Sequence, residues 1–319
     1  MSAYKCPWLF QNADLNTVIP NVLRPIRGFA YQRERLELAD GDFLDLDWSK
    51  TGSNRLAVLI HGLEGSSGSL HVKGMAQQLN QVGWDAVVMN LRSCSGAPNR
   101  KVYSYHAGKS DDVLAVLEHV GGAYAKMLLL GFSLGGNLAL VTAGRESEAL
   151  PQNLEAVVAI SVPCDLEESS NRWEDHSNLY LKKFMKELKG KVFAKMEHFP
   201  ELQPLTPKLQ VAKTFRDFDD LYTAPIHGFK DATDYYRKSS SIYYLSSIKH
   251  PTLLLNALDD PFLSPRCHPT DICAANPHIE FLNPDFGGHI GFAESYWLNR
   301  YWHERATLGF LDAHFGSAQ

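Results

Sequence analysis

Three features are missing from this 319-residue sequence: a disulfide framework, a zinc-binding spacing and a membrane-spanning run. Its five cysteines (Cys6, Cys94, Cys164, Cys267 and Cys273) are scattered and odd in number, with no CxxC pair. That is the usage of reduced thiols in a cytoplasmic chain. His61 and Glu64 do not form an HExxH and have no evident third ligand, so no metal and no other cofactor is expected. No segment approaches the roughly 18 apolar residues of a span, and the opening MSAYKCPWLFQNADLN lacks the apolar stretch of a signal peptide. A basic excess is absent too. Lys and Arg total 31 against 36 Asp and Glu, a net charge of −5, which argues against a nucleic-acid partner. Internal repeats and low-complexity tracts are not found. What is present is 45% hydrophobic and 21% charged residues, the balance of a soluble domain long enough to bury its own core.

The apolar residues are patterned. After an irregular N-terminal arm with one helical turn, Arg33 to Leu38 and Phe43 to Trp48 alternate around Asp40-Gly41, which predicts a hairpin closed by a tight turn. From Arg55 onward the runs become continuous: RLAVLI (55–60), WDAVVMN (84–90), KMLLLGF (126–132), LEAVVAISV (154–162), PTLLLNAL (251–258) and IEFLN (279–283). Continuous runs imply strands buried on both faces of a mostly parallel sheet. Helical periodicity fills Leu70 to Val82, Ser110 to His119, Gly136 to Gly144 and a closing stretch from Tyr296 to Phe315. The class is α/β. Nearly ninety residues separate the fourth and fifth runs without a strand-like segment, and a structureless loop of that length is improbable. The expected organisation is therefore a core of 1–162 and 251–319 with an inserted helical cap, 163–250. Within the cap, Leu181, Phe184, Met185, Leu188, Val192 and Met196 recur at helical spacing. Lys182, Lys183, Lys186, Lys189 and Lys195 lie opposite, and Gly190 interrupts. That basic face is solvated, or makes weak contact with an anionic membrane surface.

The chemistry centres on GFSLGG. A GxSxG string arises by chance in roughly one such chain in ten, so context decides. Ser133 directly follows an apolar strand and directly precedes a helix, the setting in which a serine sits on a sharp turn with its hydroxyl exposed. A serine nucleophile needs a histidine base oriented by a carboxylate. His289, in the glycine-rich FGGHIGF after the last strand, is the expected base. His268, His278, His303 and His314 are set aside, the last two as satisfied or exposed residues of the closing helix. Asp260 is chosen as the acid, with Asp259 and Asp165 open as alternatives. All three follow strand ends, where sites of open α/β sheets gather. The oxyanion donors are expected to be the backbone N–H groups of Leu134 and of Leu63 in HGLEGSSGS. Cys94 reads as an inert packed thiol, and Arg92 with Asp112 as a candidate buried pair.

These motifs, in this order, resemble the α/β-hydrolase superfamily. HGLEG, GFSLGG, NALDDP and FGGHIGF carry the resemblance. NLRSCSGAPN (90–99), SYHAGKSDD (104–112) and FDDLYTAPIHGFKDATDYYR (218–237) narrow it to the YheT-like branch, which is related to eukaryotic abhydrolase-domain ester and lipid hydrolases. The resemblance runs from about Arg33 to the C-terminus. It implies an α/β-hydrolase fold, a Ser133–Asp260–His289 triad and a carboxylic-ester hydrolase acting on a small-molecule ester. Thioester hydrolysis and acyl transfer would use the same triad, and a non-catalytic binding module is the reading outside enzymes.

Overall fold

The structure, a computed structural model, describes residues 3–175 and 179–316. Eight strands form one sheet: β1 (Gln32–Glu37), β2 (Phe43–Ser49), β3 (Arg55–Ile60), β4 (Asp85–Asn90), β5 (Lys126–Phe132), β6 (Leu154–Ile160), β7 (Thr252–Leu255) and β8 (Ile279–Leu282). Their spatial order is β1-β2-β4-β3-β5-β6-β7-β8. β2 runs antiparallel to β1 and to β4, and every pairing from β4 to β8 is parallel. The six continuous apolar runs are thus the six parallel strands. Along β3, Leu56, Val58 and Ile60 face one apolar layer while Ala57 and Leu59 face the other. α3 (Ser110–Gly121) and α4 (Leu134–Arg145) cover the first layer. α2 (Leu70–Gln81) and the closing helix cover the second.

Several details depart from expectation. The hairpin turn has a positive φ only at Gly41, and Gly41 N–H donates to Leu38 O. This is a turn followed by a left-handed glycine rather than a two-residue loop. The N-terminal arm holds an eleven-residue helix, α1 (Ala13–Leu23), where one turn was expected. Asn12 caps it, its side chain accepting from Leu15 N–H, and Pro20 lies inside it without an N–H to donate. The closing helix begins at Trp302, not Tyr296, because Leu298 takes a left-handed φ of +51°.

Between β6 and β7 the described residues contain helices and turns and no strand. α5 (Leu166–Asp175) and α6 (Leu179–Lys195) lead, and Gly190 does not interrupt α6. Leu181, Met185, Val192 and Met196 bury their expected face with Leu202, Leu209, Phe218 and Tyr222. The basic face is smaller than the periodicity suggests. Lys195 is buried, and its ammonium donates to the carbonyls of Lys101, Val102 and Tyr103. Lys189 bonds Ala212 O, which leaves Lys182, Lys183 and Lys186 exposed. No helix among the described residues is long and apolar enough to cross a membrane.

Candidate active site

At the end of β5 the chain reverses into α4 through Ser133, whose φ of +53° and ψ of −121° lie outside the ordinary regions. Two glycines make the reversal possible. A Cβ at Gly131 would sit 2.1 Å from Gly135 O, and one at Gly135 would sit 2.4 Å from His61 O. Gly62 packs directly on Ser133, with room for a Cβ only 3.1 Å from the serine Cβ. The HGLEG loop is thereby brought against the serine. The N–H groups of Leu63 and Leu134 have no hydrogen-bond acceptor among the described residues.

His289 lies in a loop after β8, with Nε2 2.9 Å from Ser133 Oγ and Nδ1 2.8 Å from Asp260 Oδ2. Asp260 is buried, and its other oxygen accepts from Phe262 N–H. Of the three candidate acids, only Asp260 reaches the imidazole. Asp259 accepts from Gly288 N–H at 2.9 Å and so braces the histidine loop. Burial, aided by the neighbouring Asp260 charge, pushes its carboxyl up to about 6. Asp165 caps α5 through Glu168 N–H and pairs with Arg266.

Sequence reading missed the residues that hold His289. Thr17 Oγ1 accepts from its N–H at 2.9 Å, and Asn21 Nδ2 donates to its carbonyl at 3.2 Å, both from α1. Ser161 Oγ accepts from Ile290 N–H. Pro20 has no N–H to bond Asn16 O, and Gly291 packs there so closely that a Cβ would sit 1.9 Å from that carbonyl. Asn21 also bonds His71 Nδ1. No motif marks these contacts, since those from Thr17 and Asn21 to His289 span 272 and 268 positions of sequence and that from Ser161 to Ile290 spans 129.

His61, Cys94 and Arg92 have structural partners. His61 is fully buried, with Nδ1 2.7 Å from Gly62 O and Nε2 accepting from Leu91 N–H. Desolvation holds its imidazole down to about 4, so it is a neutral brace. Burial pushes the Cys94 thiol up to about 11, away from nucleophilic character. Arg92 grips Asp112 through two bonds of 2.7 Å and also reaches Asp40 and Asp42. His303 is neither exposed nor satisfied. It is buried, and both ring nitrogens lack a partner among the described residues.

Ser133 and His289 open into a cavity of about 520 Å³, within the usual range for small-molecule sites. Trp173, Phe184, Phe215, Phe218 and Phe262 contribute aromatic walls. Trp173 stacks on Phe262 at 4.1 Å, and Phe262 lies 4.7 Å from the His289 ring. Glu64, Lys191 and Asp219 bring charge to the same space.

A serine on a strained strand-to-helix turn, hydrogen-bonded to a histidine and through it to an aspartate, is a known arrangement on a sheet of this order. The family described as the alpha/beta hydrolase fold matches residues 57–296. The chain belongs to that family. Among relatives of this alpha/beta hydrolase, Escherichia coli (strain K12) YheT, to which the name esterase is attached provisionally, is 38% identical over 89% of this chain and 85% of its own. Mouse phospholipase ABHD3 is 29% identical over 84% of this chain and 67% of its own. The Pyrococcus furiosus esterase Pf2001 superposes with a TM-score of 0.63 at 18% identity, covering 93% of this chain and 97% of that one. That last likeness concerns the fold alone.

Proposed function

We propose that this alpha/beta hydrolase is a serine-dependent carboxylic ester hydrolase acting on an apolar acyl group. The observation that carries the reading is the continuous line Asp260–His289–Ser133, whose serine and histidine open into an aromatic-walled cavity. Asp260 keeps the proton of His289 on Nδ1, leaving Nε2 free to accept. As Ser133 Oγ attacks the ester carbonyl, His289 takes the hydroxyl proton, and Leu63 and Leu134 N–H groups receive the developing oxyanion. Collapse expels the alcohol, protonated by His289, and leaves the acyl group on Ser133. Water then attacks the acyl-enzyme, giving one proton to His289, and the acid departs as that proton returns to Ser133 Oγ. The names of the relatives agree with ester chemistry. In this reading residues 163–250 form a cap over the core of 1–162 and 251–319, and the apolar cluster around Met185 and Tyr222 is its own small core.

A fluorophosphonate probe tests the reading. It should label wild-type protein at Ser133, and Ser133→Ala should lose both labelling and ester turnover. Undiminished labelling of the alanine variant would sink the assignment.

A further inference from the structure

The turn that carries Leu63 has an unexpected residue in it. Gly65 N–H donates to Gly62 O at 3.0 Å, closing a four-residue turn over Leu63 and Glu64. Glu64, its third residue, has a φ of +54°, a position that ordinarily takes glycine or asparagine because a Cβ there costs about 1 kcal/mol or more. Both ends of Glu64 are tied down. The Tyr105 hydroxyl accepts from its backbone N–H at 3.1 Å and donates to Oε1 at 2.6 Å. From the other side, Lys191 Nζ lies 3.1 Å from Oε1 and 3.0 Å from Oε2, and 3.1 Å from Cys94 Sγ. The Glu64 side chain is only 3% exposed. Lys191 belongs to α6, so a helix beside the cavity is joined by a charge-assisted bond to the loop beside the nucleophile.

We propose that Lys191 is a positioning residue: by holding the Glu64 carboxylate it keeps the Gly62–Gly65 turn in the form that aims Leu63 N–H at the oxyanion. This rests on the oxyanion role given to Leu63 above. The physical link is the left-handed backbone. With its ammonium partner gone, a buried carboxylate is driven toward water, and the strained φ of Glu64 relaxes as the side chain leaves. The Leu63–Glu64 peptide, whose own N–H is held by the Tyr105 hydroxyl, turns with it, and the adjoining Gly62–Leu63 peptide, which carries the Leu63 N–H, shifts as the Gly62–Gly65 turn loosens.

Lys191→Met and Lys191→Arg are to be measured in the wild-type and in the Glu64→Gly backgrounds, by steady-state ester turnover and by the rate of fluorophosphonate reaction. In the wild-type background Lys191→Met should lower kcat about 10- to 100-fold, part of what losing an oxyanion donor costs, with KM within about twofold. Phosphonylation should slow by a similar factor, and Lys191→Arg should recover most of both. Glycine adopts a positive φ without a tether. In the Glu64→Gly background Lys191→Met should therefore change kcat by less than about threefold, as expected when the coupling runs through one residue. Equal losses in both backgrounds, or a loss confined to KM, would overturn the proposal. Absence of phosphonylation in the wild-type chain would instead overturn the hydrolase reading itself.

Discussion

Adjacent carboxylates 259 and 260 differ in everything but sequence position. Asp260 meets the imidazole, while Asp259 meets a backbone amide of the loop that carries it. Asp260→Asn should therefore cost about 10⁴ in kcat, by loss of the correct tautomer, while Asp259→Asn and Asp165→Asn stay within about tenfold; steady-state kinetics of the three variants checks this. Asp259 has a second consequence. Its folded carboxyl is raised from the ordinary 3.8 to about 6, so the folded state holds that proton more tightly than the unfolded chain. Its contribution to stability is then complete below about pH 4 and lost as pH rises through 6. Asp259→Asn keeps an oxygen for Gly288 N–H but cannot ionise. Thermal melts should find this variant about 2 °C more stable than wild type at pH 7.5, after discounting for solvent screening, and equal to it near pH 3.5.

Among elements, the connection from β4 to α3 depends on one side chain. The Arg92 guanidinium, 2% exposed, joins Asp112 at the start of α3 to Asp40 and Asp42 of the β1–β2 hairpin. The same loop carries Cys94, and α3 covers one face of the sheet. Arg92→Met would leave Asp42 buried without its counter-charge and Asp112 with only Lys109, 3.9 Å away. A loss of about 3–5 kcal/mol is expected, read by denaturant unfolding, with Lys101→Met on the neighbouring surface as a control near zero. α1 acts at the same scale. Its short polar side chains hold both the amide and the carbonyl of His289, which gives an apparently irregular arm a place in the site.

For the whole molecule, the proposed preference for an apolar acyl group rests on the cavity walls. Trp173, Phe184, Phe215 and Phe218 come from the segment between β6 and β7, whereas Ser133 and His289 come from loops at the carboxyl ends of core strands. An apolar acyl chain entering those walls gains up to about 0.8 kcal/mol per methylene, so two added carbons raise kcat/KM roughly tenfold until the space is full. A panel from acetyl to decanoyl esters should therefore climb toward butyryl or hexanoyl and then fall. A monotonic decline from acetyl, or a charged acyl group as the best substrate, would contradict the apolar-wall reading.

The sequence alone determined the α/β class, the limits of the parallel strands to within a few residues, and the serine turn. Each of these rests on short-range physics. Continuous apolar runs can only be buried on both faces, and glycines 131 and 135 are the residues that let the backbone double back. Tertiary structure decided the rest. Which of two neighbouring aspartates reaches His289 depends on how a turn after β7 meets a loop after β8. The side chains that hold the His289 backbone lie in a helix of the N-terminal arm, 272 and 268 positions away in sequence. Only folding puts Lys191 beside Glu64, because an ion pair between distant segments leaves no periodicity in either.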